Sequence, residues 1–194
     1  MPNSQSNMPA TMPDISALTK AIDRPIALVG MMGSGKSLVG RRLAQQLDLP
    51  FIDSDAEIEK TAGVTIAEIF ELAGEDRFRT LERHAISAAA DAGPAVLSTG
   101  GGSICNPQTA RLLCDRTIVI WLQARPETLM SRIGSISSRP LLHTDDPLAT
   151  LRDLAERRAP DYGKAHITVA TDQLSAATAV SSVLRALDSH VAVT

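Results

Sequence analysis

Apolar residues along this 194-residue chain fall into short runs separated by stretches with a helical period. Ile26-Ala27-Leu28-Val29 is the first such run and ends in a glycine-rich turn. Beyond the turn Val39, Leu43 and Leu47 recur on one face of a helix predicted over Lys36 to Leu47. A second short strand near Phe51-Ile52 leads into Asp53-Ser54-Asp55 and another helical stretch. Thr65-Ile66-Ala67-Glu68 has the spacing of a capping box and opens a helix that Gly74 ends, with a longer one following from Glu75 to about Ala92. Ala95 to Ser98 and the β-branched run Thr117 to Leu122 read as buried strands, the former leaving into a glycine cluster. Helices are predicted at about 107–113 and 126–133, and from Asp146-Pro147 with proline at the first helical position. A last strand near Ile167-Thr168-Val169 and a helix over 174–188 complete the pattern.

Short apolar strands alternating with helices predict an α/β fold in three layers, a central five-stranded parallel sheet flanked by helices. Ligands of such a fold gather at the carboxyl ends of the strands. Residues 1–22 are rich in Ser, Asn, Pro and Met without a sustained period and predict a disordered or loosely ordered leader, leaving 23–190 as a single domain. A net charge of −3 argues against an extensive nucleic-acid surface, which needs clustered Lys and Arg. No apolar run approaches the roughly 20 residues that cross a bilayer, and the first residues lack a secretory pattern, so no membrane partner and a cytoplasmic address are expected. Cys105 and Cys114 have neither CxxC spacing nor nearby histidines and read as reduced structural thiols.

Candidate chemistry begins at Gly30-Met31-Met32-Gly33-Ser34-Gly35-Lys36-Ser37, which matches G-x-x-x-x-G-K-[ST] between a predicted strand and helix. Glycines there let successive backbone amides converge on phosphates, and the helix amino terminus adds its positive end. Lys36 neutralises the β- and γ-phosphates and the Ser37 hydroxyl reaches Mg²⁺. Asp53 and Asp55, two apart after the second strand, would share one face in extended geometry and could divide metal and hydroxyl duties; the alternative is a helix cap followed by a first-turn acid. Gly100-Gly101-Gly102 exposes bare main-chain amides after the third strand, as a ligand site or as a structural turn. Arg79, Arg139 and Arg158 recur in distant segments and taken singly read as solvated surface.

GMMGSGKS, FIDSD, IFELAGEDRFRTLE, STGGG, SRPLL and RRAPDY occur in this order, and over residues 26 to 188 the chain resembles the shikimate kinase family. The resemblance implies a P-loop kinase fold with an acceptor-binding segment at about 54–85 and a mobile lid at about 134–146. It implies ATP-dependent phosphorylation of the 3-hydroxyl of shikimate, giving shikimate 3-phosphate and ADP on the route to aromatic amino acids, with Mg²⁺ as cofactor. On this resemblance Lys36, Asp55 and Arg139 are catalytic. Gly33, Ser34, Gly35, Lys36, Ser37, Leu38, Arg132 and Arg139 bind ATP, with Arg132 near adenine. Asp55, Arg79, Arg158 and Gly100 to Gly102 bind shikimate, Glu82 orients the arginines, and Phe70 and Phe78 line the apolar side of the ring. Ser37 and Asp53 hold the metal, with Ser98 contributing through water. ATP and shikimate are the expected partners of a monomeric chain. Where the family usually has Val-Asp-Thr and then proline, this sequence reads Val169-Ala170-Thr171-Asp172.

Two other classes share parts of this pattern. A gluconate or nucleoside monophosphate kinase has the same loop and lid, but Arg79, Arg158 and the triple glycine suit a compact polyol bearing a carboxylate. A nucleotide-binding relative without turnover is disfavoured by Lys36, Asp53, Asp55 and Arg139 occurring together.

Overall fold

The computed structural model describes residues 12–134, 136 and 140–193. Its elements are α1 (Ile15–Ala21), β1 (Ile26–Val29), α2 (Lys36–Leu47), β2 (Phe51–Asp53), α3 (Ser54–Ala62), α4 (Ile66–Asp91), β3 (Val96–Ser98), α5 (Pro107–Arg116), β4 (Ile118–Gln123), α6 (Pro126–Arg132), α7 (Pro147–Tyr162), β5 (Ile167–Ala170) and α8 (Ala176–Val191), with short 3-10 turns at Ser103–Cys105 and Pro140–Leu142. The five strands form one parallel sheet in the order β2-β3-β1-β4-β5.

Alternation along the central strand β1 divides the core. Ile26 and Leu28 join Leu43 and Leu47 of α2 and Val183 and Leu187 of α8 on one face. Ala27 and Val29 join Ile86 of α4, Leu113 of α5 and Leu151 of α7 on the other. β1 and β3 are buried on both sides, as their continuous apolar runs predict, whereas the edge strand β5 alternates buried and exposed residues. Gly40 is the tightest point of α2: a β-carbon there would lie 2.7 Å from the Phe51 ring and 3.2 Å from Leu28.

Helix starts follow the capping chemistry of the sequence. Thr65 and Glu68 form a reciprocal capping box, and Asp146 caps α7 with Pro147 in its first turn. Gly74, with φ 75°, breaks α4 into two segments where the sequence placed a helix end. The carboxyl-terminal helix runs later than predicted, 176–191 rather than 174–188. A larger correction concerns the leader. Residues 15–21, placed in a loosely ordered segment, form α1, capped by Asp14, with Leu18 and Ile22 buried against α2 and α8. Seven residues are too few to show a helical period, although Ile15, Leu18 and Ile22 carry its spacing. Among the described residues no helix is long and apolar enough to cross a membrane.

Candidate active site

The phosphate-binding candidate sits at the carboxyl end of β1, the middle strand of the sheet. Gly33 adopts φ 80°, and a β-carbon there would come 2.6 Å from the carbonyl oxygen of Leu129, so conformation and space both demand glycine. Gly35, also left-handed, precedes α2, and the loop's amides therefore lead into a helix amino terminus. Lys36 Nζ folds back over the loop and donates to the carbonyls of Gly30 at 2.8 Å and Met31 at 3.1 Å. Gly33, Ser34, Gly35, Lys36, Ser37 and Leu38 all line a cavity of about 600 Å³.

Ser37, Asp53 and Ser98 meet in this cavity from α2, β2 and β3. Ser37 Oγ donates to Asp53 Oδ2 at 3.1 Å and lies 3.2 Å from Ser98 Oγ. Three hard oxygens beside a phosphate loop fit Mg²⁺, which takes few protein ligands and fills its octahedron with water and phosphate. Among the described residues no group of three or more His, Cys, Asp and Glu side chains could hold a metal ion. Asp53 also caps α3, its Oδ1 accepting the Asp55 amide at 3.2 Å. The cap, posed by the sequence as the alternative to a metal role, uses one oxygen of this carboxylate and leaves the other facing Ser37. The extended geometry expected for the pair does not occur, because α3 begins at Ser54 and puts Asp55 in its first turn.

That turn points Asp55 into the site. Its Oδ1 is buried without a hydrogen-bond partner. A β-carbon on Gly100 would lie 3.1 Å from it and 3.0 Å from Glu82 Oε1, so glycine keeps open the space between two carboxylates. Burial, and then repulsion from Asp53 and Glu82, pushes the Asp55 carboxyl up to about 6 against the pull of Lys36. A carboxyl poised near neutrality with an unmatched oxygen suits an incoming hydroxyl.

Beyond the glycine turn lies a second cavity of about 350 Å³, lined by Arg79, Gly102, Cys105 and Arg158 among others. Arg79 donates through Nη1 to the fully buried Glu82 at 2.9 Å, and through Nε and Nη2 to Glu75 at 3.2 and 3.0 Å. Its Nη2 and Nη1 would stand 3.2 and 3.6 Å from a β-carbon on Gly102. Arg158, on α7, approaches the Gly101 carbonyl at 3.5 Å, and the Tyr162 hydroxyl donates to that same oxygen. Two guanidinium groups thus share one cavity, beside Glu75 and Asp76, and a guanidinium is a natural bidentate partner for a carboxylate.

Arg132 lines the larger cavity, its guanidinium held by Thr171 Oγ1 at 3.2 Å and Thr171 O at 2.5 Å. Leu174 and Ala176 border the same end. Phe70 and Phe78 meet at a tilt of 32° with centroids 4.7 Å apart, and Arg79 lies over the Phe78 ring at 5.2 Å, but neither ring lines the two cavities. Arg139 lies outside the described residues. Burial raises the thiols of Cys105 and Cys114, both unbridged, above their ordinary value, which favours the inert reading. Sequence reasoning assigned no role to Ser103, which follows the glycines, or to Tyr162 at the end of RRAPDY.

A glycine loop leaving the middle strand of a parallel sheet, its lysine, and an acid at the end of a nearby strand define a P-loop kinase. The family model for shikimate kinase matches residues 32–188, and the chain belongs to that family. The shikimate kinase of Nitrobacter winogradskyi is 46% identical over 159 residues, 82% of this chain and 74% of that relative. That of Bartonella quintana is 39% identical over 189 residues, 97% of this chain and 90% of the relative. Among solved structures, shikimate kinase from Acinetobacter baumannii in complex with shikimate superposes with a TM-score of 0.83 at 39% identity, covering 90% of this chain and 97% of that one.

Proposed function

We propose that this chain transfers the γ-phosphoryl group of ATP to the 3-hydroxyl of shikimate, producing shikimate 3-phosphate and ADP. The unmatched, buried Asp55 Oδ1 beside the phosphate loop carries this assignment, because a hydroxyl donor is what it lacks. Asp55 holds and orients the attacking hydroxyl and takes its proton as the new O–P bond forms and the γ-phosphoryl leaves the β-phosphate oxygen. The amides of Gly33 to Ser37 and the Lys36 ammonium grip the phosphates and hold them in line, and positioning of this kind supplies most of phosphoryl-transfer catalysis. Leu38 and Arg132 border the nucleoside. Ser37 and Asp53 would hold Mg²⁺, with Ser98 behind them; the bound ion neutralises charge on the β- and γ-phosphates. We assign Arg139, on its Ser138-Arg139-Pro140 motif alone, to the same charge.

Arg79 and Arg158 take the shikimate carboxylate with the amides of Gly100 to Gly102, Glu82 sets Arg79, and Phe70 and Phe78 supply apolar surface next to it. The reaction belongs in the cytoplasm and needs one chain. The test is a coupled ADP assay with Mg²⁺, ATP and a panel of acceptors. Shikimate is expected to be consumed and gluconate and nucleoside monophosphates left intact; turnover of another alcohol in place of shikimate refutes the acceptor, and failure to bind ATP refutes the whole assignment.

A further inference from the structure

We infer that Ser103 is a positioning residue for acceptor capture, acting through Glu82 to hold the Arg79 guanidinium against the glycine turn. The inference rests on the role given above to Arg79 as a carboxylate binder.

Ser103 opens the 3-10 turn that follows Gly102 and is fully buried. Its Oγ lies 2.6 Å from Glu82 Oε1 and 2.9 Å from the Gly100 carbonyl. A hydroxyl has one proton to give. Of its two acceptors the carboxylate is the nearer and the charged one, at the short separation typical of an O–H donor facing a charged oxygen, so the proton goes to Glu82.

Glu82 is itself fully buried, and its two oxygens divide between Ser103 and Arg79. A buried carboxylate keeps its charge and its place only while its oxygens are matched. Ser103 therefore fixes one oxygen of Glu82 so that the other can fix Nη1 of Arg79. The opposite edge of the guanidinium is held by Glu75, which is 64% exposed and so a weak restraint. Rigidity reaches Arg79 from the buried side, and Ser103 is the inner end of that chain.

The test uses the full chain with Mg²⁺, ATP and shikimate, comparing wild type with Ser103→Ala, Ser103→Cys, Glu82→Gln and Ser103→Ala/Glu82→Gln. Loss of a donor to a buried charge is expected to raise the KM for shikimate about tenfold in Ser103→Ala, with the KM for ATP and kcat within about twofold of wild type. Ser103→Cys, with its weak S–H donor, falls between serine and alanine. The double variant matches Glu82→Gln alone within about twofold, since both changes cut one connection. A merely structural serine would lower Tm and move both KM values together, and that result overturns the inference; so does a shikimate KM unmoved in Ser103→Ala, or effects that multiply in the double variant. These outcomes are read against a wild type that phosphorylates shikimate. A wild type that does not phosphorylate it overturns the proposed function instead, and the role of Ser103 with it.

Discussion

Asp55→Asn is expected to make the chain more stable while ending phosphoryl transfer. The Asp55 carboxyl titrates near 6 in the fold against 3.8 as an isolated group, raised by burial first and by Asp53 and Glu82 next. An acid so raised holds its proton more tightly folded than unfolded, so ionising it weakens the fold. The penalty is absent below pH 3.8, grows through the window from 3.8 to about 6, and is complete above it. At 1.36 kcal/mol per pH unit the full penalty is roughly 3 kcal/mol, and partial solvent contact at Asp55 reduces it to about 1–3 kcal/mol. For a chain of this length each kcal/mol moves Tm by about 2–4 °C, so the asparagine variant should melt about 2–12 °C higher at pH 8. Circular-dichroism melts of ligand-free protein at pH 8 and pH 4 make the measurement, and by pH 4 the gap should have nearly closed. A variant no more stable than wild type at pH 8, or a gap of equal size at both values, would refute the claim that a desolvated carboxylate is held there. ATP binding by the same variant should stay near wild type, because Lys36 and the loop amides are untouched.

Arg158→Ala should raise the KM for shikimate at least tenfold and change the KM for ATP little, because it removes one charge-assisted partner of the carboxylate; steady-state kinetics decide this. Asp53→Asn should melt within about 0.5 kcal/mol of wild type, since asparagine caps a helix as well as aspartate does, yet need at least tenfold more Mg²⁺ for half-maximal rate. A large loss of stability would show that the cap matters more than the metal. Gly40→Ala should be destabilising by about 1–3 kcal/mol, against the usual gain from alanine in a helix, because its β-carbon meets the Phe51 ring at 2.7 Å. Chemical denaturation would measure it, with KM values unchanged.

Most of this architecture was legible because each signal was local. The phosphate loop announces itself through two glycines, a lysine and a serine at set positions, and the strand before it through four consecutive apolar residues. Asp146-Pro147 and Thr65 to Glu68 mark helix starts by side-chain chemistry confined to one turn. What escaped was short or tertiary. Helix α1 buries little besides Leu18 and Ile22, a pair that gains meaning only once α2 and α8 pack over it. Ser103 and Tyr162 are ordinary polar residues in sequence; their partners, Glu82 and Gly101, lie 21 and 61 residues away. The arginines were singled out by resemblance rather than pattern, since only the fold brings Arg79 and Arg158 to one cavity.

Asp53 shows why a local reading of this site stalls between two answers. A helix cap and a metal ligand both draw on a side-chain oxygen at the end of a strand, and the sequence offers one residue for both. The fold leaves room for both: β2 delivers the side chain so that Oδ1 faces the amides of α3 and Oδ2 faces Ser37. The hydrogen bond from the Asp55 amide then ties the acid that would hold the acceptor to the acid that would hold the metal. While that hydrogen bond holds, a shift of Asp53 toward the phosphates would draw the first turn of α3, and Asp55 with it, in the same direction. In the proposed function the register between hydroxyl and γ-phosphate would then be set by one carboxylate spanning a strand end and a helix start. Separate loops would have to be ordered at additional entropic cost to reach the same tolerance.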